Sequence, residues 1–110
     1  MDHRQQFRYD LDTLVKIEQD GQSVLATSLD VGLTGMGCVV TTELAADKPL
    51  LISFRLSLKD KPITTWAKLV WSYKTNNKWR IGLEFSELDS GHHRAIADFL
   101  SNNWQVAHPA

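Results

Sequence analysis

The stretch Leu51-Ile-Ser-Phe-Arg-Leu-Ser-Leu-Lys59 sets Ile52, Phe54, Leu56 and Leu58 on one side and Ser53, Arg55 and Ser57 on the other. Period-two alternation predicts a half-buried strand over residues 51–59. Residues 13–19 and 22–29 flank Asp20-Gly21, a strong short-range hairpin signal, and predict two antiparallel strands. Residues 36–42 read as a third strand, joined to the fourth by a connection whose turn chemistry lies at Asp47-Lys48-Pro49. Beyond a turn at Asp60-Lys61-Pro62, residues 63–73 set Ala67, Leu69 and Trp71 opposite Trp66, Lys68 and Val70. Asn76-Asn77 turns the chain into a sixth strand, with Trp79, Ile81, Leu83 and Phe85 alternating against Arg80, Gly82 and Glu84. The period then changes. Leu88, Ala95, Ile96, Phe99, Leu100 and Trp104 recur at helical spacing and predict one amphipathic helix over residues 89–104. Ser86 with Asp89 three residues later resembles a capping box, and Ser90 is an alternative cap. Six short strands and one helix predict an antiparallel barrel with the helix packed across it or over one end.

At 110 residues the chain suffices for about one domain. Residues 1–12 are mostly polar and are expected to form an arm ahead of the barrel, residues 13–104 the barrel and helix, and residues 105–110 a frayed tail. The 12 basic residues against 13 acidic ones lack the excess that neutralises nucleic-acid phosphates, which disfavours general DNA or RNA binding and leaves a small anionic ligand open. Cys38 is the one cysteine, so no intramolecular disulfide can form; it reads as a small core residue in a reducing compartment. The N-terminal residues carry no apolar export segment and no run is long enough to span a bilayer, so the expected location is the cytoplasm, without membrane insertion.

Catalytic chemistry finds little support. No nucleophile has a local base and orienting partner. His92 and His93 are adjacent, point about 100° apart on a helix, and read as surface residues rather than metal ligands. Trp71, Trp79 and Trp104 follow the apolar periodicity and are expected in the core, whereas Trp66 is the candidate for exposure. The chain is therefore not expected to be an enzyme, to need a cofactor, or to bind a metal.

Ser28-Leu-Asp-Val-Gly-Leu-Thr-Gly-Met-Gly37 interrupts two strand-like runs with one carboxylate and three glycines. It is either a glycine-rich turn or bulge in which Asp30 folds onto nearby amides, or a turn that admits a ligand close to the main chain. Arg4 and Arg8 are four apart and point to one side of an extended arm, roughly 13 Å apart. They are either solvated charges or a two-pronged clamp for phosphate or a purine edge. The hairpin return brings Asp30 close to where this arm enters the barrel.

Arg4-x-x-x-Arg8, then Asp30-x-Gly32-x-x-Gly35, then six strands and a helix, with Leu69-Val-Trp71 and Ile81-Gly-Leu-Glu-Phe85 in the later strands, resembles the PilZ domain family over nearly the whole chain. The resemblance implies a mainly β, six-stranded antiparallel split barrel with one C-terminal helix that serves as a bacterial receptor for cyclic di-GMP. It implies that Arg4 and Arg8 clamp phosphates and guanine, that Asp30 accepts bonds from a guanine edge, and that Gly35 gives the ligand room. It implies that His3, just before the first arginine, influences how many ligand molecules bind. An arm that orders over the ligand would signal through a downstream protein partner. Gly32 departs from the signature, which usually has Ser there. One lost hydroxyl contact, about 1.5–3 kcal/mol, weakens binding roughly tenfold to a hundredfold. The alternative is an adaptor of the same fold that works through protein contacts without a nucleotide. Oligomeric state, monomer or homodimer, is left open.

Overall fold

The computed structural model describes residues 8–107, except the side chains of 104–107. Seven strands and one helix follow in order: β1 (Arg8–Asp10), β2 (Leu14–Gln19), β3 (Gln22–Gly32), β4 (Gly35–Val40), β5 (Leu50–Phe54), β6 (Ile63–Thr75), β7 (Lys78–Ser86) and α1 (Ser90–Ala107). The antiparallel order β3-β2-β5-β6-β7-β4 closes on itself through β3–β4, giving the expected six-stranded barrel, and β1 is an extra strand on β3.

Two tight turns set the register. Asp20 and Gly21 have φ of 54° and 83° between the pair Gln19↔Gln22, and Asn76 and Asn77 have φ of 51° and 67° between Thr75↔Lys78. Positive φ at both central residues marks the turn whose twist matches a two-residue hairpin. Alternation then carries Val15, Ile17, Ile52, Phe54, Ile81 and Leu83 into the barrel interior, where Phe54 and Phe85 stack with ring centroids 6.1 Å apart. Ile96 and Leu100 of α1 are also buried, and Phe99 meets Tyr9 of β1 edge to face at 5.8 Å.

Four expectations are corrected. The arm assigned to residues 1–12 contains a strand, β1, because its backbone completes the free half of one edge of β3. The fourth strand ends at Phe54 rather than at residue 59. Beyond it, Ser57 accepts the Asp60 N–H on its carbonyl (3.1 Å) and the Lys59 N–H on its hydroxyl (3.3 Å), a turn that keeps Leu56 inside but leaves Leu58 92% exposed. The helix runs to Ala107, past residue 104, and its cap is neither Ser86 nor Ser90. Asp89 caps it, accepting the His92 N–H on its carboxylate at 2.7 Å and the His93 N–H on its carbonyl at 2.9 Å. His93 is exposed, and His92 is half-buried with Nδ1 3.2 Å from the Asp89 carboxylate. Trp71 is not in the core but 45% exposed, while Trp66 is exposed as expected. The Trp104 side chain lies outside the described residues. No described helix is long and apolar enough to cross a membrane.

Candidate functional site

β3 is long enough to serve two partners along one edge: residues 22–27 pair with β2, and Asp30–Gly32 pair with β1 in the register Asp10↔Asp30, Tyr9↔Val31, Arg8↔Gly32. Buried Ser28 fixes the crossing between them. Its hydroxyl accepts the Thr13 N–H at 2.9 Å and donates to the Leu11 carbonyl, while the Leu11 N–H donates to the Leu29 carbonyl at 3.1 Å. These bonds anchor the chain just after β1 and so hold Arg8 beside Asp30.

Two bulges shape the outer face. The pairs Ser28↔Cys38 and Asp30↔Gly37 leave Leu29 as an extra residue on β3; Leu69↔Leu83 and Trp71↔Gly82 leave Val70 extra on β6. A bulge re-aims the side chains beyond it. One consequence is a straight row across four strands, Asp30–Gly37–Gly82–Trp71, in which the Asp30 carboxylate leans over Gly37 and the Trp71 indole over Gly82. Three strand spacings put the Asp30 and Trp71 backbones roughly 14 Å apart, with the two side chains leaning toward each other between them. The neighbouring rows carry Val39–Arg80–Tyr73 on one side and Gly35–Glu84–Lys68 on the other.

Part of this face lines an open groove of about 480 Å³, bounded by Arg8, Asp30, Trp71, Arg80 and Glu84 over Gly35 and Gly37. That volume is within the range of small-ligand sites. The glycines are there for different reasons. A Cβ on Gly35 would lie 2.0 Å from the Leu83 carbonyl oxygen, so β4 and β7 need a bare backbone there. A Cβ on Gly82 would lie 2.2 Å from Nε1 of Trp71, whose ring occupies that space. Gly37 donates its N–H to Asp30 Oδ1 at 2.9 Å, holding the carboxylate at the rim.

Arg8 Nη1 is 3.6 Å from Asp30 Oδ1, and each side chain is about a third exposed. An ion pair this long and this wet contributes under about 1 kcal/mol, so both groups can exchange it for a ligand at small cost. Arg80 also lines the groove and makes no ion pair among the described residues. Tyr73 stacks on Trp71 with centroids 5.6 Å apart and planes 21° from parallel.

Cys38 lies next along β4 from the groove floor and points inward. Burial, then the charge of Asp30, pushes its thiol up from 9.0 to about 12. The protein at pH 8 is therefore expected to resist iodoacetamide until denatured; fast labelling of the native state would contradict this burial. The same shift has a sign for stability. Between pH 9.0 and about 12 the unfolded thiol releases its proton and the folded one retains it, so alkali destabilises the fold across that window.

Arg8, Asp30 and Gly35 thus come together in one groove, whereas Gly32 is buried opposite Arg8 in the β1–β3 ladder. His3 and Arg4 lie outside the described residues. Trp71, Arg80 and Gly37 are lining residues that the motif does not name, and Gly82 lies beneath the Trp71 ring. Solvent-side alternation pointed to Arg80 and Gly82, but a bulge at Val70 reverses the parity that pointed Trp71 inward. Among the described residues, no group of three or more His, Cys, Asp or Glu side chains could hold a metal.

Comparison with solved structures finds the same fold at low identity. The Bacillus subtilis inhibitor of motility, MotI/DgrA, is 20% identical with a TM-score of 0.83, covering 98% of this chain and 54% of its own. The Klebsiella MrkH complex with cyclic di-GMP is 18% identical with a TM-score of 0.80, covering 97% and 55%. Escherichia coli YcgR in complex with cyclic di-GMP is 16% identical with a TM-score of 0.79, covering 97% and 48%. The chain spans about half the length of each of these. No curated protein sequence matches it. The PilZ domain family model matches residues 2–102, and with the closed barrel, the extra strand and the C-terminal helix already described, the chain belongs to the PilZ domain family.

Proposed function

We propose that the domain is a cytoplasmic receptor for cyclic di-GMP that signals through a protein partner. The observation that carries this reading is the pairing of Arg8 with Asp30, 3.6 Å apart at the rim of a glycine-floored groove, in a chain of this family. The guanidinium forks of Arg8 and of Arg4 suit phosphate oxygens and the O6/N7 edge of guanine. Asp30, already oriented by the Gly37 amide, accepts from the guanine N–H groups. Gly35 keeps the floor bare, Gly32 supports Arg8 from the adjacent strand, and His3 flanks the first arginine.

Strand alternation supplies a route for the signal. Arg8 faces the groove, and its neighbour Tyr9 packs on Phe99 of α1. A ligand that holds Arg8 therefore fixes β1, and with it the surface shared by β1 and α1. That surface is where the partner would sense occupancy, and the reaction is binding rather than catalysis.

Thermal unfolding with and without cyclic di-GMP tests the reading. At a hundredfold excess over Kd a ligand stabilises the native state by about 2.7 kcal/mol, which raises the midpoint by roughly 10–20 °C for a domain of this size. GTP at the same concentration is expected to leave the midpoint in place. A midpoint unmoved by cyclic di-GMP at millimolar concentration would instead point to an adaptor that binds protein alone.

A further inference from the structure

We infer that the open edge of β6 over Trp71–Thr75 is a docking strand for an extended acidic segment of a partner protein, which adds to the β6–β7 hairpin as a further strand. This does not rest on the cyclic di-GMP reading, because the edge and its charge are there whether or not the groove holds a nucleotide.

β6 is 13 residues long, but β5 pairs with it only over Ile63–Phe54 to Ala67–Leu50. Beyond the bulge at Val70, residues 71–75 pair with β7 alone among the described residues, and every residue from Val70 to Lys78 is exposed. The end of the hairpin therefore stands clear of the barrel with one edge bare, where every second residue of β6 points its N–H and C=O outward. An extended chain is what satisfies such an edge. Charge decides which chain. Residues 61–83 hold five of the 12 basic residues and none of the 13 acidic ones. Lys68 is paired with Glu84, but Lys74, Lys78 and Arg80 make no ion pair among the described residues. They serve both faces of the hairpin. Lys78 and Arg80 lie opposite Thr75 and Tyr73, on the face of Trp71, while Lys74 lies opposite Trp79 on the other face, its Nζ 6.0 Å from that ring's centroid. An acidic strand thus finds a cation on either face, and half-exposed Trp71 and Tyr73 offer it apolar area. A second copy presenting the same edge would bring uncompensated lysines together. An anionic bilayer would meet the charges but leave the N–H and C=O groups of the edge unpaired.

The test titrates the whole chain, without nucleotide, with a fluorescein-labelled peptide of alternating Glu and Thr, followed by anisotropy and by amide hydrogen exchange. Its controls are the Lys and Thr counterpart and a fully N-methylated Glu peptide, which keeps the charge and loses the backbone donors. The Glu peptide is expected to bind at least about tenfold more tightly than either control at low salt, and less tightly as salt rises. It is expected to slow exchange within residues 71–75 and to leave β1 unchanged. The double variant Lys74→Glu, Lys78→Glu is expected to prefer the Lys peptide, with the melting midpoint of the wild type because both side chains are exposed. Absence of binding by the Glu peptide, equal binding of its N-methylated form, or protection that falls outside β6 would overturn strand addition. Binding to phosphatidylserine vesicles in place of the peptide would overturn it in favour of a membrane surface.

Discussion

Gly35→Ala is expected to destabilise the fold by about 3 kcal/mol or more, a loss of roughly 15 °C in melting midpoint. The added Cβ would sit 2.0 Å from the Leu83 carbonyl oxygen and 3.2 Å from the Glu84 Cα, both backbone atoms that no rotamer change can move aside. β4 and β7 would have to separate at this point, and their pairing is a seam of the closed barrel, with Gly35 opposite Glu84 and the Phe85 N–H donating to the Thr34 carbonyl at 2.9 Å. Domains of this size have about 5–15 kcal/mol in total, so one methyl group removes a large share. Denaturant unfolding of the variant measures the loss directly. A midpoint equal to that of the wild type would mean that the close approach is absent, and Gly35 would then matter only for ligand access.

Arg8→Ala is expected to have the opposite profile. Its Asp30 contact is long and solvated, so the fold is expected to lose under about 1 kcal/mol. Ligand affinity is expected to fall about a hundredfold, since a charged, bidentate anchor to guanine or phosphate is removed. Asp30→Asn complements it. The amide oxygen can still accept from the Gly37 N–H, so the rim geometry persists while the charge is lost. Calorimetric titration beside a thermal melt separates the two effects for each variant. An Arg8→Ala protein that binds like the wild type would remove the groove from the receptor reading.

Legibility in the sequence depends on which forces are local. The Asp20-Gly21 and Asn76-Asn77 turns demand positive φ, and the strands beside them alternate, so both hairpins can be placed from residue identity alone. The pairing of Arg8 with Asp30 is legible as proximity, because the hairpin return fixes where residue 30 must lie. Bulges are legible only where glycines mark them: the glycine-rich stretch after Ser28 offers a bulge with Asp30 folded onto a nearby amide, as found, but neither the residue inserted there nor the second bulge at Val70 can be read. Leu29 and Val70 are ordinary strand residues whose insertion depends on partners across the sheet, and each reverses the facing of the residues after it. That is why alternation points Trp71 to the core. Leu58 departs from its pattern for a different reason: the local Ser57 turn wins over an alternation that would have continued the strand. β1 escapes the sequence pattern because three residues are too short to show one, and they are held by backbone pairing and by Ser28 rather than by their own periodicity.

The most direct measurement is isothermal titration of the protein with cyclic di-GMP, with GMP and GTP as controls. Selective binding at low-micromolar Kd or tighter, about −8 kcal/mol, is the result expected of a receptor that tolerates glycine at position 32. An absence of heat or shift at saturating ligand, from a protein shown to be folded, would contradict it.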